Sequence, residues 1–133
     1  MSLRVIALAL LAAGLSAGCG ASDRDDDVGA VAQRFQSALE ARDGAGACAE
    51  LSEETASKVE QQEGMPCQEA ILGLELPTGS ELAKARVYVT SASISVAEGG
   101  TLFLNEAADG WEVSAAGCHP TAPELPYECE VED

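Results

Sequence analysis

Cysteine is the residue type with the widest range of possible chemistry in this sequence of 133 residues, and it occurs five times. One cysteine ends an apolar N-terminal run and the other four lie further along the chain, so that the set is Cys19, Cys48, Cys67, Cys118 and Cys129. The last four contain no C-x-x-C pair, which is the spacing typical of zinc sites and redox motifs. We therefore expect no bound metal and interpret these four as two disulfides.

Four cysteines allow three pairings. We favour Cys48–Cys67 and Cys118–Cys129, because both are local in sequence and each would close one structural unit. A disulfide that closes a loop of this size stabilises a fold by roughly 3 kcal/mol in the chain-entropy model. Small domains stapled in this way are typical of oxidising compartments.

The remaining reactive side chains do not form a catalytic set. His119, the single histidine, stands beside one of these cysteines near the C-terminus. Asp109 lies in a predicted turn and Asp43 at a predicted helix end, and neither has a second group at a useful spacing. Since Gly44-Ala45-Gly46 follows no predicted strand, it does not match a nucleotide-binding loop, and we expect no cofactor.

Two aromatic residues are candidates for lining a cavity. Trp111 begins an alternating segment, so we expect it to pack in the core, with ligand stacking as the alternative. Tyr88 lies in another alternating segment and is the candidate catalytic hydroxyl if the domain is an enzyme.

The N-terminal residues 1–18 are typical of a secretory signal peptide. They contain the positive charge of Arg4, then an apolar run, and then small residues before the expected cleavage site. The run is shorter than the roughly 20 residues that a spanning helix needs. Because Cys19 follows the exit directly, the segment resembles the lipobox of bacterial lipoproteins, with Ser16 where that family prefers a branched apolar residue. The resemblance implies a diacylglycerol on Cys19, and attachment to the extracytoplasmic face of the cell membrane. The alternative is an ordinary secreted protein.

Removing residues 1–18 removes Arg4 and no acidic residue, so the formal net charge of −16 becomes −17. Strong acidity excludes nucleic acid as a partner, because phosphate recognition needs basic patches. It also argues against electrostatic attachment to anionic lipid, which leaves the acyl chains as the membrane anchor. We interpret the charge as a solubilising surface, with a cationic partner as the alternative.

The coarse order of elements is helices first and strands after. Residues 19–27 are small and acidic and predict a flexible tether, without the spacing of a calcium loop. Val28, Val31, Phe35 and Leu39 recur at helical spacing and predict the first helix, on which Gln36 belongs to the solvated face. Further helical segments are predicted over residues 47–51, 53–63 and 67–72.

Alternation of apolar and polar residues begins after Ala85 and predicts strands near 87–89, 92–96, 102–104 and 111–115. The proline-containing residues 117–133 are predicted to form no regular element. The fold class is therefore α+β, with N-terminal helices packed on a curved antiparallel meander in a single domain over residues 28–133.

This order, the helices that carry Cys48 and Cys67, and the segments 110–118 and 126–129 resemble actinobacterial lipoproteins with a nuclear transport factor 2-like, cystatin-like domain. The resemblance covers residues 28–131. It implies a cone-shaped sheet around helices, often with a cavity, and its exported members mostly lack an assigned activity.

Three functions remain open from the sequence, and whether the protein is an enzyme is uncertain. We favour a non-enzymatic, membrane-anchored module that binds an envelope protein or a small molecule. The alternative is a small cavity enzyme of the isomerase or hydratase type that uses Tyr88, with Asp109 as the second candidate. The third is a structural envelope protein without a ligand.

Overall fold

The computed structural model describes residues 20–133, so that the predicted signal peptide and Cys19 lie outside the described residues. The helices within this range are α1 Gly20–Glu40, α2 Gly44–Glu50, α3 Glu53–Glu63 and α4 Cys67–Gly73. The strands are β1 Arg86–Tyr88, β2 Ser91–Ser95, β3 Thr101–Ala107, β4 Gly110–Pro120, β5 Tyr127–Glu128 and β6 Val131–Glu132. None of the helices in residues 20–133 is long and apolar enough to cross a membrane.

The strands form one curled antiparallel sheet in the order β1-β2-β3-β4-β5, and β6 also pairs with β4. The first four strands form a meander, because each pairs with the next one along the chain. All four helices precede this sheet, so the predicted α+β class is confirmed.

The hydrophobic core lies between α1 and the inner face of the sheet. On α1, the residues at the predicted helical spacing are buried, and Val28 and Phe35 are fully enclosed. Ile94, Leu104 and Val113 belong to the same cluster from the β2, β3 and β4 strands. Full burial of such side chains stabilises a fold by about 1.5–3 kcal/mol each, so this contact holds the helical and sheet layers together.

One polar residue of α1 is also buried, and here the sequence interpretation was wrong. Gln36, assigned to the solvated face, is only 1% exposed. Its amide nitrogen donates to the carbonyl oxygens of Pro77 and Gly79 at 2.9 and 2.8 Å. Both amide hydrogens are satisfied, so the side chain fixes the connector between α4 and the sheet.

The first helix begins eight residues earlier than predicted, at Gly20 instead of Val28. Residues 20–27 are therefore helical and not an irregular tether. The charged residues of this segment bind the sheet: Arg24 pairs with Glu106 at 3.1 Å, and Asp25 lies 3.8 Å from Lys84. The sequence pattern suggested a self-repelling linker, because it does not show which charges have partners in the fold.

The C-terminal residues are also more regular than predicted. β4 continues to Pro120, and β5 and β6 pair with its second edge. Val131 is fully buried although it lies three residues from the end of the chain. Prolines are tolerated at strand ends and sheet edges, and Pro120 lies at the end of its strand, so the prolines of this region do not prevent strand formation.

The helix boundaries follow local signals more closely. Ser52 caps α3 by accepting a hydrogen bond from the Thr55 backbone N–H at 3.1 Å, and Gly64 ends the helix in the left-handed conformation, in agreement with the helix predicted over residues 53–63. Asp43, which was predicted to lie at a helix end, is the N-cap of α2, and this helix begins at Gly44.

Gly44 is the point of closest approach between α2 and α4. A Cβ atom at Gly44 would lie 1.8 Å from the carbonyl oxygen of Gln68. We expect Gly44→Ala to lower the free energy of unfolding by about 1–3 kcal/mol, because the helices must separate to admit a methyl group. The measurement is urea denaturation followed by far-ultraviolet circular dichroism.

Gly29→Ala is the matched control, since a Cβ at Gly29 in α1 meets no atom within 4 Å. Alanine in a helix interior is favoured over glycine by about 1 kcal/mol, so this variant should be as stable as the parent protein or more stable. Equal stability of the two variants would contradict the tight contact between α2 and α4.

Candidate functional site: the Trp111 cleft

The two predicted disulfides are both present, with the predicted pairing. Cys48 joins Cys67 and thereby links α2 to α4, and Cys118 joins Cys129 and links β4 to the C-terminal segment. These four sulfurs are consequently structural and do not offer a thiol for catalysis or metal binding. Within residues 20–133, no three side chains of the metal-ligating types come together as a metal site.

Trp111 lies near the start of β4 and is part of the hydrophobic core, with 8% of its surface exposed. The guanidinium carbon of Arg24 lies 5.4 Å from the centroid of its ring. A cation at this distance from an indole is attracted by the negative face of the ring. The predicted core role of Trp111 is confirmed, and its ring also faces the charged side chains of α1.

A surface cleft of about 260 Å³ opens between α1 and the turn that precedes β4, and we call it the Trp111 cleft. Its lining combines an apolar floor with charged walls and consists of Asp27, Ala30, Val31, Arg34, Asp109, Gly110 and Trp111. The cleft is large enough for a six-membered ring with one polar substituent, but it is smaller and more charged than a usual small-molecule site, which has roughly 300–1,000 Å³ and a mostly apolar lining.

The charges around the Trp111 cleft are unequally satisfied. Arg34 donates two hydrogen bonds to the Glu50 carboxylate at 2.8 and 3.1 Å. This hydrogen bonding, together with the charge of Glu50, raises the pKa of Arg34 above its ordinary value against the lowering effect of burial. Among the described residues, neither Asp27 nor Asp109 forms an ion pair. The cleft therefore presents two free carboxylates beside an arginine that is already neutralised.

Only some of the candidate site residues from the sequence lie at the Trp111 cleft. Asp109 lies in the predicted turn and borders the Trp111 cleft. Tyr88, the other candidate for lining a cavity, lies at the end of β1 with 59% of its surface exposed, so that assignment was wrong. Tyr88 lies on the opposite face of β1 from the partly buried Val87, so its side chain points to solvent. Asp43 caps α2 by accepting from the Gly46 N–H at 2.9 Å, and His119 is exposed near the tail.

Sequence reasoning missed the contribution of α1 to this site. Asp27, Val31 and Arg34 are spaced by four and three residues and therefore share one helix face. This signal was readable, but the segment up to Asp27 had been assigned to a tether. The pairing of Arg24 with the sheet had no sequence signal, because its partner Glu106 is 82 residues away.

The buried polar side chains of residues 23–133 all serve the fold. They are Gln36, Thr55 and Ser114. The Thr55 hydroxyl donates to the backbone carbonyl of Ser114 at 3.0 Å, which ties α3 to β4. The Gln36 and Thr55 side chains are held by internal hydrogen bonds, so the chemistry available to a ligand is that of the surface clefts.

Comparisons of the chain with models of protein families, with curated proteins and with solved structures find no match.

Arg24 connects α1 to the sheet beside the Trp111 cleft, and its removal tests that connection. We expect Arg24→Ala to lower the free energy of unfolding by about 1 kcal/mol, the combined scale of an exposed cation–π contact and a surface ion pair. The Trp111 emission should shift to longer wavelength, because one face of the ring becomes accessible to water. Urea denaturation and the emission spectrum provide the two measurements.

Lys58→Ala is the control for charge. Lys58 is exposed on α3, and its removal changes the net charge of the protein by the same amount. If both variants lose the same stability, with the Trp111 emission unchanged, the effect belongs to the net charge and the Arg24 contacts contribute nothing.

Proposed function

We propose that this protein is an exported, lipid-anchored module of the cell envelope that binds a small molecule or a protein and performs no catalysis. The observation that carries the proposal is the pair of disulfides, Cys48–Cys67 and Cys118–Cys129, formed within one small domain. Such bridges persist in oxidising compartments outside the cytoplasm. The signal-like residues 1–18 and the cysteine that follows them supply the route and the anchor.

The order of four helices and a curved antiparallel sheet supports the resemblance to nuclear transport factor 2-like lipoproteins. In this proposal the sheet is a scaffold whose concave side is filled by α1. The ligand site lies on the surface, in the Trp111 cleft, where the apolar floor and the free carboxylates are accessible.

Intact mass of the protein extracted from membranes tests export and anchoring. We expect a chain that begins at Cys19, is heavier by a diacylglycerol, and takes up alkylating agent at four cysteines only after reduction. Cys19→Ser is the control, because it removes the acceptor thiol and leaves both disulfides in place. An unlipidated wild-type chain cleaved at another residue would contradict the proposal.

The ligand class follows from the charges of the Trp111 cleft. Since Arg34 is paired with Glu50 while Asp27 and Asp109 have no ion-pair partner within residues 20–133, the cleft favours a small molecule with an apolar ring and a positive charge. A titration with cyclohexylamine, protonated at neutral pH, should change the Trp111 emission more than a titration with the neutral cyclohexanol. Asp109→Asn should weaken amine binding by up to about fivefold, the scale of one exposed charge pair.

Asp133→Asn is the control for this titration, because Asp133 is exposed at the C-terminus and does not line the cleft. Equal responses to the amine and the alcohol would show that the carboxylates take no part. An emission that neither compound changes would remove the Trp111 cleft as the ligand site and leave the anchoring proposal to its own test.

A further inference from the structure

The turn between β1 and β2 exposes two large apolar side chains side by side. Tyr88 is 59% exposed and Val89 is 82% exposed, the highest value among the exposed large hydrophobic residues of the described chain. We call this pair the Tyr88–Val89 tip. Contiguous exposed apolar surface is typical of interaction sites, whereas apolar residues exposed singly are common on protein surfaces.

The backbone conformation at Val89 is unfavourable for a valine residue. Val89 has a φ of 30°, in the left-handed half of conformational space. Glycine and asparagine adopt positive φ at low cost, whereas a β-branched residue there is a genuine outlier. The side chain is exposed and recovers none of this cost through packing within the domain. Folding alone would favour glycine or asparagine at this position.

The tip is bound to the N-terminal end of α1. Arg24 donates a hydrogen bond from its guanidinium group to the carbonyl oxygen of Val89, and it pairs with Glu106 near the end of β3 at 3.1 Å. Arg24 lies about 6 Å along the helix axis from Gly20, at the helical rise of 1.5 Å per residue. Helical side chains lean toward the N-terminus, so Arg24 holds the tip beside the end of α1 at which Cys19 is attached.

If Cys19 carries the lipid, the tip lies close to the membrane, and the inference rests on that part of the proposed function. Because α1 begins at Gly20, the folded domain has no irregular spacer between that residue and its body. Consecutive Cα atoms are about 3.8 Å apart, and the headgroup layer on each side of a bilayer is roughly 5–8 Å thick. Arg24, which binds the tip, is therefore about 10 Å from the Cα atom of Cys19, a distance close to the thickness of that layer, so the tip lies near the bilayer surface.

We propose that the Tyr88–Val89 tip inserts into the bilayer interface that carries the lipid anchor. Tyrosine suits this depth, because its ring is apolar and its hydroxyl stays with the headgroups, and the valine side chain faces the acyl region. Together with the acyl chains, the tip gives a second point of attachment and fixes the orientation of the domain on the membrane.

The charges around the tip select the kind of bilayer. Asp23 and Asp109 are exposed at the same end of the domain, and the positive charge of Arg24 is already paired with Glu106. Arg86, which is exposed on the same face of β1 as Tyr88, adds a single positive charge. A basic patch for anionic headgroups is therefore not available there, and acidic side chains repel anionic lipid. The proposed contact is with a bilayer of zwitterionic lipid.

The experiment uses the lipidated full-length protein in phosphatidylcholine vesicles, with and without bromine atoms on the acyl chains as short-range quenchers. Tyr88→Trp places an indole at the tip, and the wild-type protein, whose single tryptophan is Trp111, gives the background emission. We expect the Tyr88→Trp protein to lose emission in brominated vesicles and to shift to shorter wavelength on binding. Leu125→Trp is the matched control, because Leu125 is 55% exposed and follows the opposite end of β4.

A second variant tests Val89 without endangering the fold. Val89→Asn removes the apolar side chain and suits the positive φ, so the urea midpoint should not fall. In combination with Tyr88→Trp it should reduce the quenching while the protein still floats with the vesicles. Quenching that does not change would remove Val89 from the contact.

The outcomes separate this inference from the anchor on which it rests. A protein that floats with the vesicles but shows equal quenching at Tyr88→Trp and Leu125→Trp keeps the anchor and overturns the inserted tip. A protein without lipid that does not float overturns both. A shift of the Tyr88→Trp emission that depends on protein concentration in detergent, without vesicles, would assign the tip to a second copy of the chain and overturn membrane insertion.

Discussion

The backbone of β4 is the feature on which the rest of this fold depends, because the strand is paired along both edges. β3 pairs with one edge over most of its length, and β5 and β6 pair with the other. The helical half is attached to the same strand: the Ser52 N–H donates to the carbonyl oxygen of Val113, and Leu51 forms a bridge with Val113. Buried backbone groups must find partners, and β4 provides them for β3, β5, β6 and the connection between α2 and α3.

Residues 113–118 of β4 are buried without interruption, so both faces of this part of the strand are covered. A strand with one solvated face would alternate between buried and exposed residues. Small side chains, including Ala115, Ala116 and Gly117, allow neighbouring segments to approach both faces of the strand. Gly117 has a φ of 65°, and a Cβ there would lie 3.0 Å from a methyl carbon of Leu76, so both its conformation and its lack of a side chain are needed.

Local chemistry predicted those parts of the fold that depend on neighbours in the chain. The Ser52 cap, the end of α3 at Gly64, the apolar face of α1 and the pairing of nearby cysteines each follow from residues within twenty positions of one another. The prediction failed where a partner is distant. The charged start of α1 suggested a solvated tether because Glu106 and Lys84 cannot be recognised as its partners from the sequence. Gln36 was assigned to the surface because its acceptors are backbone carbonyls of a connector without periodicity.

The same limit applies to the Trp111 cleft. Trp111 could be identified from the sequence because it is the single tryptophan of this chain and begins an alternating segment. The cleft wall supplied by α1 could not be identified in this way. Arg24 joins these two parts by lying over the indole ring and binding the turn that carries Val89. Its position makes the first turns of α1, the cleft and the Tyr88–Val89 tip one connected end of the domain. Because α1 is bound to the sheet through Arg24, the position of its first turns fixes the position of the cleft wall that α1 supplies relative to Trp111.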